Sequence, residues 1–270
     1  MKPLRIGNVS IGGDAPAFIL GPCVIESEKF VRRMGQKIAA VCEEEQVAFI
    51  FKASFDKANR SSVKSFRGME ARAGCEILRS IGRELGVPVT TDVHSPADVA
   101  IAAESIDLLQ IPAFLCRQTD LLKAAAETER AINVKKGQFL APWDVRNIAE
   151  KLEHFGAKRF LFTERGTTFG YNNLVADMRS LAWLRKAGYH VIFDATHAVQ
   201  HPGGAGESSS GEGELAPVLA RAAMAAGCDG IFMEIHENPA RALSDGPNQI
   251  ALKNLPKILR VLKAVHAAVS

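Results

Sequence analysis

Short apolar runs rich in β-branched and aromatic residues alternate with longer amphipathic segments along the chain, which predicts repeated strand–helix units around a parallel sheet. Eight runs have strand character, and each is followed by a segment with helical periodicity. The predicted strands are Phe18–Cys23, Val47–Ser54, Pro88–Val93, Leu108–Ala113, Asn133–Gln138, Phe160–Gly166, His190–His197 and Gly230–His236. The predicted helices are Glu28–Glu45, Gly68–Leu85, Pro96–Glu104, Gln118–Glu129, Asp144–Phe155, Leu174–Lys186, Glu214–Ala226 and Ile250–Ala267.

Eight such units favour an α/β fold closed into a (β/α)8 TIM barrel over an open doubly wound sheet. A nucleotide-binding doubly wound sheet would carry G-x-G-x-x-G after its first strand, and this chain does not. In the opening segment, residues 1–16, apolar and polar positions alternate around a turn, which predicts a β-hairpin that closes the N-terminal mouth of the barrel. With no linker evident, residues 1–270 are expected to form a single barrel domain.

A long irregular segment, residues 200–213, follows the seventh predicted strand and is rich in glycine and serine. Such a composition buries little apolar surface, so the segment is predicted to be mobile. A solvated linker loop is one interpretation of it. Because the loops that follow barrel strands lie on the catalytic face, we favour an active-site lid.

Charge and cysteine content narrow the class of protein. The 33 basic residues are spread along the chain among 30 acidic ones, with a net charge of +3, which is not the pattern of a nucleic-acid-binding surface. The chain shows neither a run of about 18 apolar residues nor a secretory signal, so a cytoplasmic protein without a membrane segment is expected. Five widely spaced cysteines, an odd number, favour reduced thiols over a disulfide framework.

Charged residues collect at the C-terminal ends of the predicted strands, where barrel enzymes build their active sites. Lys52, Lys57, Lys135 and Arg165 follow three different strands. Buried cations repel one another unless an anion lies between them, so these four residues predict a pocket for a phosphate or carboxylate group. Lys135 is followed by a second lysine, Lys136, and the sequence leaves open which of the two faces the pocket.

The loop after the second strand adds Arg60 and Ser61, whose guanidinium and hydroxyl groups suit a second phosphate.

A second pattern of residues suggests a metal site. Cys23, His197 and Glu234 end strands one, seven and eight, which become neighbours when a barrel closes, and carboxylates such as Asp245 follow. A thiolate, an imidazole and two carboxylates suit Zn²⁺, Fe²⁺ or Mn²⁺. By spacing alone, a buried core cysteine remains the alternative interpretation of Cys23.

Long ordered motifs over nearly the whole chain resemble the 3-deoxy-D-manno-octulosonate 8-phosphate synthase family. They are Gly21–Ser27, Phe51–Ser62, Thr91–His94, Gln110–Asp120, Asn133–Gln138, Glu164–Tyr171, Asp194–Gln200 and Phe232–Glu234. The resemblance implies a transferase that condenses phosphoenolpyruvate with D-arabinose 5-phosphate, both phosphorylated small molecules, in lipopolysaccharide biosynthesis. It also implies the metal-dependent, cysteine-containing branch of the family, with one divalent transition metal (Zn, Fe or Mn) per subunit.

The resemblance implies roles for individual residues. The phosphoenolpyruvate site would contain Lys52, Lys57, Gln110, Lys135 and Arg165. The arabinose 5-phosphate site would contain Asn59, Arg60 and Ser61, with Phe114 and Arg117 reaching it from a neighbouring subunit of a homotetramer. The metal ligands would be Cys23, His197, Glu234 and Asp245, and the candidate catalytic residues are Lys57, Asn59, Asp92 and His197. Asp92, Glu234 or a metal-held hydroxide are the candidates for proton transfer.

Two other functions were weighed. A 3-deoxy-D-arabino-heptulosonate 7-phosphate synthase would use erythrose 4-phosphate on the same kind of barrel, but the loop Lys57–Ser62 favours the pentose phosphate. A non-catalytic barrel that senses sugar phosphates would not need metal ligands beside the cationic strand ends. Phosphate release from phosphoenolpyruvate in the presence of arabinose 5-phosphate distinguishes an enzyme from such a sensor.

Overall fold

A computed structural model describes residues 1–60, 62–202 and 210–269 of the protein. Within these ranges, eight parallel strands alternate with eight α-helices. The strands are β1 (Ala17–Gly21), β2 (Phe49–Lys52), β3 (Val89–Asp92), β4 (Leu108–Ile111), β5 (Ala131–Lys135), β6 (Phe160–Glu164), β7 (Val191–Asp194) and β8 (Gly230–His236). The helices are α1 (Glu28–Glu44), α2 (Ala71–Leu85), α3 (Pro96–Ala103), α4 (Thr119–Ala126), α5 (Val145–His154), α6 (Arg179–Lys186), α7 (Ala216–Ala225) and α8 (Leu255–Val269).

The sheet closes on itself. Each strand pairs in parallel with the next one along the chain, and β8 pairs with both β7 and β1. In the register that completes the ring, Ile231 lies opposite Phe193 on one side and Phe18 on the other. The predicted (β/α)8 barrel is therefore confirmed.

Local sequence signals explain where several helices begin and end. The Ser27 hydroxyl accepts a hydrogen bond from the Phe30 backbone N–H at 3.2 Å and caps α1. Ser95 caps α3 in the same way, directly before the N1 proline Pro96. Gly86 ends α2 in the left-handed conformation, with φ of +66°, which glycine adopts at little cost. Each of these residues determines where a helix begins or ends relative to the neighbouring strand.

Side chains alternate between the barrel interior and the helix layer along every strand, as the two-residue period of β-structure requires. The outward set packs with the helices into one large core. The inward set forms a smaller apolar layer near the N-terminal ends, which includes Ile19, Ile50, Leu108, Leu161 and Ile192. The layer fills the lower half of the barrel and leaves the upper half to polar side chains.

The N-terminal hairpin covers the bottom of this layer. Its strands, Leu4–Ile6 and Val9–Ile11, pair antiparallel. Ile6, Val9 and Ile11 are buried in the same apolar cluster as the inward side chains of the barrel strands. The predicted closure of the N-terminal mouth is confirmed, and burial of three aliphatic side chains explains why the hairpin stays there.

Two predicted helices began too early in the sequence. The sixth helix was predicted from Leu174 but begins at Arg179, because Leu174–Val175 instead pairs antiparallel with Thr167–Thr168. The eighth helix was predicted from Ile250 but begins at Leu255, because Ile250–Ala251 pairs in parallel with the end of β8. In both cases the residues form strand pairs, although their apolar spacing had suggested a helix.

Several predicted strands also ran too far at their C-terminal ends. The second was predicted to Ser54 and ends at Lys52, and the fifth was predicted to Gln138 and ends at Lys135. The residues beyond these ends leave the sheet and enter the loops on the catalytic face. There they carry the polar groups described below.

Part of the predicted lid lies outside the described residues, namely 203–209. At its base, Gln200–His201 pairs antiparallel with Ser210–Gly211. The lid therefore stays a prediction. All five cysteines are free and buried, as the sequence predicted. Over the described ranges, no helix combines the length and hydropathy needed to cross a membrane.

Candidate active site

A cavity of about 350 Å³ opens at the C-terminal ends of the barrel strands. It is lined by most of the residues that the sequence assigned to substrate and catalysis. These are Lys52, Lys57, Asn59, Asp92, Gln110, Phe114, Lys135, Arg165 and His197, and Glu234 of the predicted metal site joins them. Residues separated by up to 182 positions thus meet in one pocket at the face where barrel enzymes carry out their chemistry.

The two-residue period of the strands places these side chains. Lys52 follows Ile50 on the inward face of β2, and Gln110 follows Leu108 on the inward face of β4. Each polar residue therefore lies one layer above an apolar one. The barrel interior changes from a sealed apolar layer to an ionic pocket within two residues along the strand.

Lys52 and Lys57 lie against two carboxylates. Lys52 Nζ donates hydrogen bonds to Glu234 Oε1 at 2.6 Å and to the Cys23 carbonyl at 2.8 Å. Lys57 Nζ lies 3.8 Å from both Asp92 Oδ2 and Glu234 Oε1. Burial alone would lower the pKa of Lys57, but Cys23, Glu234 and Asp92 outweigh it and hold the pKa above its ordinary value. Lys57 therefore stays cationic.

Lys135 has a different environment. Its ammonium group is bonded to Asp194 Oδ2 and lies 3.2 Å from the centroid of the Phe232 ring. Burial lowers the pKa of Lys135 to about 8, and the attraction of Asp194 offsets only part of that effect. Lys135 thus loses its charge more easily than Lys57 does.

The open choice between Lys135 and Lys136 is resolved by the geometry. Lys136 points outward from the barrel, is fully buried, and does not line the cavity. Its Nζ lies 3.5 Å from Glu164 Oε1 and donates to the Leu140 carbonyl at 3.1 Å and the Gly137 carbonyl at 3.2 Å. Lys136 therefore holds loops together, while Lys135 faces the cavity.

A chain of buried hydrogen bonds crosses the pocket floor from strand to strand. Ser54 Oγ donates to Asp92 Oδ2 at 2.5 Å, and Gln110 Nε2 donates to Asp92 Oδ1 at 2.6 Å. Asn133 Nδ2 donates to Gln110 Oε1 at 3.0 Å and in turn accepts from Thr163. Such a connected network fixes each side chain in one orientation. It fixes both oxygens of Asp92 in particular.

The predicted metal ligands converge beside this pocket. Cys23 Sγ, a Glu234 oxygen and an Asp245 oxygen all lie within 4.8 Å of one another. His197 Nε2 lies 3.7 Å from Glu234 Oε2 and 4.0 Å from Asp245 Oδ2. The other ring nitrogen of His197 lies 2.8 Å from Asp194 Oδ2, which fixes the ring orientation. Three of the donors therefore lie close enough together to share one small cation, and His197 lies beside two of them.

The chemistry of the donor set agrees with a divalent cation. Glu234 Oε2 is buried and has no hydrogen-bond partner among the described residues, although it faces the other donors. Burial, followed by the charge of Glu234, raises the pKa of the Cys23 thiol well above its ordinary value. A bound cation would reverse this, because a coordinated thiol is deprotonated outright. The residues therefore fit a transition metal that accepts sulfur, nitrogen and oxygen ligands.

The residues predicted for arabinose 5-phosphate are less closely grouped. Asn59 and Phe114 line the cavity, and Phe114 is 51% exposed at its rim. Arg60 turns away from the cavity toward Asp245, with Nη1 3.6 Å from Oδ1. Ser61 lies outside the described residues. Arg117 is exposed and does not line this cavity.

Three residues of the site were given no specific role from the sequence. Asp194 joins His197 to Lys135, Phe232 lies under the Lys135 ammonium, and the Ser244 hydroxyl lies 2.8 Å from Cys23 Sγ. The inward positions of strands β7 and β8 could have revealed the first two, because Asp194 and Phe232 each lie two residues beyond a small or apolar inward residue. No sequence signal distinguished Ser244.

The sequence model that describes the DAHP synthetase I family matches residues 2–270. Proteins named 2-dehydro-3-deoxyphosphooctonate aldolase are similar over their full lengths. The protein from Pelobacter propionicus is 58% identical over 269 residues, 99% of each chain. The protein from Cyanothece sp. is 57% identical over 264 residues, 97% of each chain, and the one from Geobacter sulfurreducens is 53% identical over 269 residues, 99% of each chain.

Proposed function

The chain belongs to the DAHP synthetase I family, and from that premise we propose that it condenses phosphoenolpyruvate with D-arabinose 5-phosphate and water. The products are 3-deoxy-D-manno-octulosonate 8-phosphate and inorganic phosphate, and the enzyme would act in the cytoplasm. The names of the full-length relatives support the eight-carbon product over the seven-carbon alternative. The observation that carries the proposal is the meeting of four cationic side chains, from three strands and their loops, in one pocket, with the Cys23 donor set beside it.

The cationic residues bind and orient phosphoenolpyruvate. Lys52, Lys57, Lys135 and Arg165 would surround its phosphate and carboxylate, with Gln110 as a further donor. In the reaction, C3 of phosphoenolpyruvate adds to the aldehyde carbon, water adds to C2, and the resulting hemiketal phosphate loses phosphate by C–O cleavage. Binding the two anionic substrates side by side, with the reacting carbon atoms close together and correctly oriented, lowers the activation barrier by about 7–11 kcal/mol. The same cations stabilise the departing phosphate.

Cys23, His197, Glu234 and Asp245 would hold one divalent transition metal, of which the residues do not specify Zn, Fe or Mn. When bound, the metal supplies Lewis acidity that orients or activates the attacking water or polarises the aldehyde. Because His197 would be a ligand and already contacts Asp194, it is not a free base. Its catalytic role is to hold a ligand position.

Asp92 is a fixed carboxylate beside Lys57. Burial would raise its pKa, but Lys57, Lys52 and His94 outweigh burial and hold the pKa well below its ordinary range. Asp92 therefore remains a carboxylate at neutral pH, with both oxygens fixed by Ser54 and Gln110. A carboxylate with so low a pKa is a weak base, so its role is to keep Lys57 charged and in position. Asn59 orients the sugar phosphate at the cavity edge.

The pentose-phosphate end of the site is completed by a second subunit of a homotetramer. Phe114 is a large apolar side chain that is half exposed at the cavity rim, and Arg117 is exposed three residues further on. Phe114 gives the cavity rim an exposed aromatic surface, and Arg117 gives the outer face of this loop a cation that its own cavity does not use. A neighbouring site that binds a sugar phosphate is a suitable partner for both.

Product formation tests the proposed function. The protein is incubated with phosphoenolpyruvate and either arabinose 5-phosphate or erythrose 4-phosphate, with and without a chelator, and phosphate and the 3-deoxy-2-keto acid are measured. We expect product with the pentose phosphate, loss of activity on chelation and recovery on adding Zn²⁺, Fe²⁺ or Mn²⁺. Preference for erythrose 4-phosphate would establish the seven-carbon function, and full activity in metal-stripped protein would refute the metal dependence.

Matched lysine variants connect the assay to the site. Lys57 and Lys64 lie on the same loop, but Lys57 is buried in the cavity wall and Lys64 is exposed outside it. We expect Lys57→Met to abolish product formation and Lys64→Met to retain wild-type activity. Equal activity of the two variants would remove Lys57 from the proposed mechanism.

A further inference from the structure

Arg60 contacts the proposed metal site rather than the substrate cavity. Its Nη1 lies 3.6 Å from Asp245 Oδ1, and its Nη2 donates a hydrogen bond to the Ser244 hydroxyl. Its Nε donates to the Phe66 carbonyl at 3.2 Å, which holds the guanidinium in place. The side chains of Arg60 and Asp245 are only 16% and 11% exposed, so their attraction is little screened by water.

The partners of Arg60 are themselves bonded to the other proposed ligands. The Ser244 hydroxyl lies 2.8 Å from Cys23 Sγ, and Asp245 Oδ2 lies 3.3 Å from the same sulfur. The Asp245 carboxylate therefore contacts Arg60 through Oδ1 and faces the proposed metal ligands with Oδ2. Asp245 also has a φ of +48°, a left-handed conformation that is costly for a residue with a side chain and is concentrated at functional sites.

Arg60 lies between two cavities. It lines a second cavity, of about 820 Å³, together with Phe66, Ser244 and Asp245. Residues Lys57, Ala58 and Asn59, just before it, line the first cavity. A change of Arg60 rotamer would release the guanidinium from Asp245, and the neighbouring residue Asn59 lies where the sugar phosphate is proposed to bind.

We infer that Arg60 is shared between Asp245 and the phosphate of the sugar substrate, so that sugar-phosphate binding and metal binding strengthen each other. This inference rests on the proposed function. A guanidinium paired with Asp245 opposes a cation at the donor set, both by occupying the carboxylate and by charge repulsion. A phosphate dianion that attracts Arg60 removes both effects and frees Asp245. The binding order of the two ligands does not matter, because the coupling is reciprocal.

The experiment measures metal affinity rather than turnover. Zn²⁺ is titrated against a chromophoric chelator in competition with the metal-free protein, without phosphoenolpyruvate, so that no reaction occurs. We expect D-arabinose 5-phosphate to raise the Zn²⁺ affinity by a factor within about 5- to 150-fold, the usual size of such couplings. D-arabinose, which lacks the phosphate, should leave the affinity unchanged. Equal affinity with and without the sugar phosphate would overturn the inference.

Arg60→Met supplies the second measurement. Without the competing guanidinium, we expect this variant to bind Zn²⁺ more tightly than the wild type and to show no further gain from the sugar phosphate. General damage to the site would instead weaken Zn²⁺ binding, and either weakened or unchanged binding would contradict the inference. The control is Arg67→Met, because Arg67 lies on the same loop but pairs with Asp56. That variant should keep the wild-type coupling.

These outcomes are separable from those of the proposed function. Product formation by the wild-type protein decides the reaction, whereas the titration decides the coupling. Product without coupling would overturn only the shared role of Arg60. Coupling without product would leave that role intact and refute the reaction. The wild-type titration decides the inference even if Arg60→Met does not fold.

Discussion

The ammonium group of Lys135 lies 3.2 Å from the centroid of the Phe232 ring. The face of an aromatic ring attracts a cation, and the attraction increases when water is excluded. Asp194 binds the same ammonium, yet burial still lowers the pKa of Lys135 to about 8. A lysine that we propose to bind substrate therefore loses its charge as the pH rises through about 8.

The first prediction concerns the pH dependence of substrate capture. Lys135 is protonated below its pKa and loses its charge as the pH rises through about 8, so phosphoenolpyruvate should bind less tightly on the alkaline side. Because kcat/KM reports the free enzyme, its profile for phosphoenolpyruvate should fall with an apparent pKa of about 8. The bound dianion raises the pKa of Lys135, so the corresponding fall in kcat should lie at higher pH.

Two variants identify the group that titrates. Lys135→Arg keeps its charge throughout, so the alkaline fall attributed to Lys135 should disappear. Phe232→Leu removes the ring that stabilises the ammonium, so the fall should move to lower pH. An unchanged profile in both variants would assign the titration to another group.

The second prediction separates the two adjacent lysines. Lys136→Met leaves Glu164 buried without its cation, and breaking a buried ion pair from one side costs about 3–5 kcal/mol. We expect the free energy of unfolding in urea to fall by that amount, with a small effect on the KM for phosphoenolpyruvate. Lys135→Met also leaves a buried carboxylate, Asp194, without its cation, so it should lower stability as well, but it should in addition cause a large loss of kcat/KM for phosphoenolpyruvate. Equal effects of the two variants on kcat/KM would contradict the separate roles.

The twin lysines also show how much of the site the sequence could predict. The eight strands follow from apolar runs of the right length, and the inward and outward positions follow from the period of two. Applied to β5, that period places Asn133 and Lys135 inward and Lys136 outward, which is what the structure has. The choice was open because the period of two does not by itself say which face of the strand is the inward one.

Other features depend on contacts that no local pattern records. Leu174–Val175 has helical spacing but pairs with Thr167–Thr168, a contact that depends on the loop beyond β6. Arg60 is a residue type that often binds phosphate, so the sequence suggested that role. Its hydrogen bond to Ser244 joins two loops that are 184 positions apart in the sequence, and no local pattern indicates that they meet. The motifs and their order along the chain predict which residues line the site. Which hydrogen-bond and ion-pair partners each side chain has depends on how the loops and strands pack.

The third prediction concerns Asp194, which orients His197 and does not belong to the proposed ligands. Asp194→Asn should weaken Zn²⁺ binding by about 10- to 100-fold, because groups that orient a ligating histidine typically contribute that much. Competition with a chelator measures the change. Cys23→Ala, which removes a proposed ligand, should bind no stoichiometric metal on elemental analysis.

A matched control is available on the neighbouring strand. Glu164 is also a buried carboxylate, but it faces outward and bonds to the backbone N–H groups of Arg165 and Gly166. Glu164→Gln should leave the Zn²⁺ affinity as in the wild type. If it weakens binding as much as Asp194→Asn does, the loss reflects general damage to the barrel and not the orientation of His197.

The last prediction tests whether Arg117 serves a neighbouring site. Arg117→Ala should raise the KM for arabinose 5-phosphate, and Lys57→Met should inactivate the pocket to which Lys57 belongs. If Arg117 acts across a subunit interface, mixed tetramers of the two variants contain pockets with an intact Lys57 and a neighbour that supplies an intact Arg117. Unfolding and refolding the two variants together should therefore restore activity at low arabinose 5-phosphate, where neither variant refolded alone is active. If Arg117 acts within its own subunit, every pocket of the mixture carries one defect and activity stays absent.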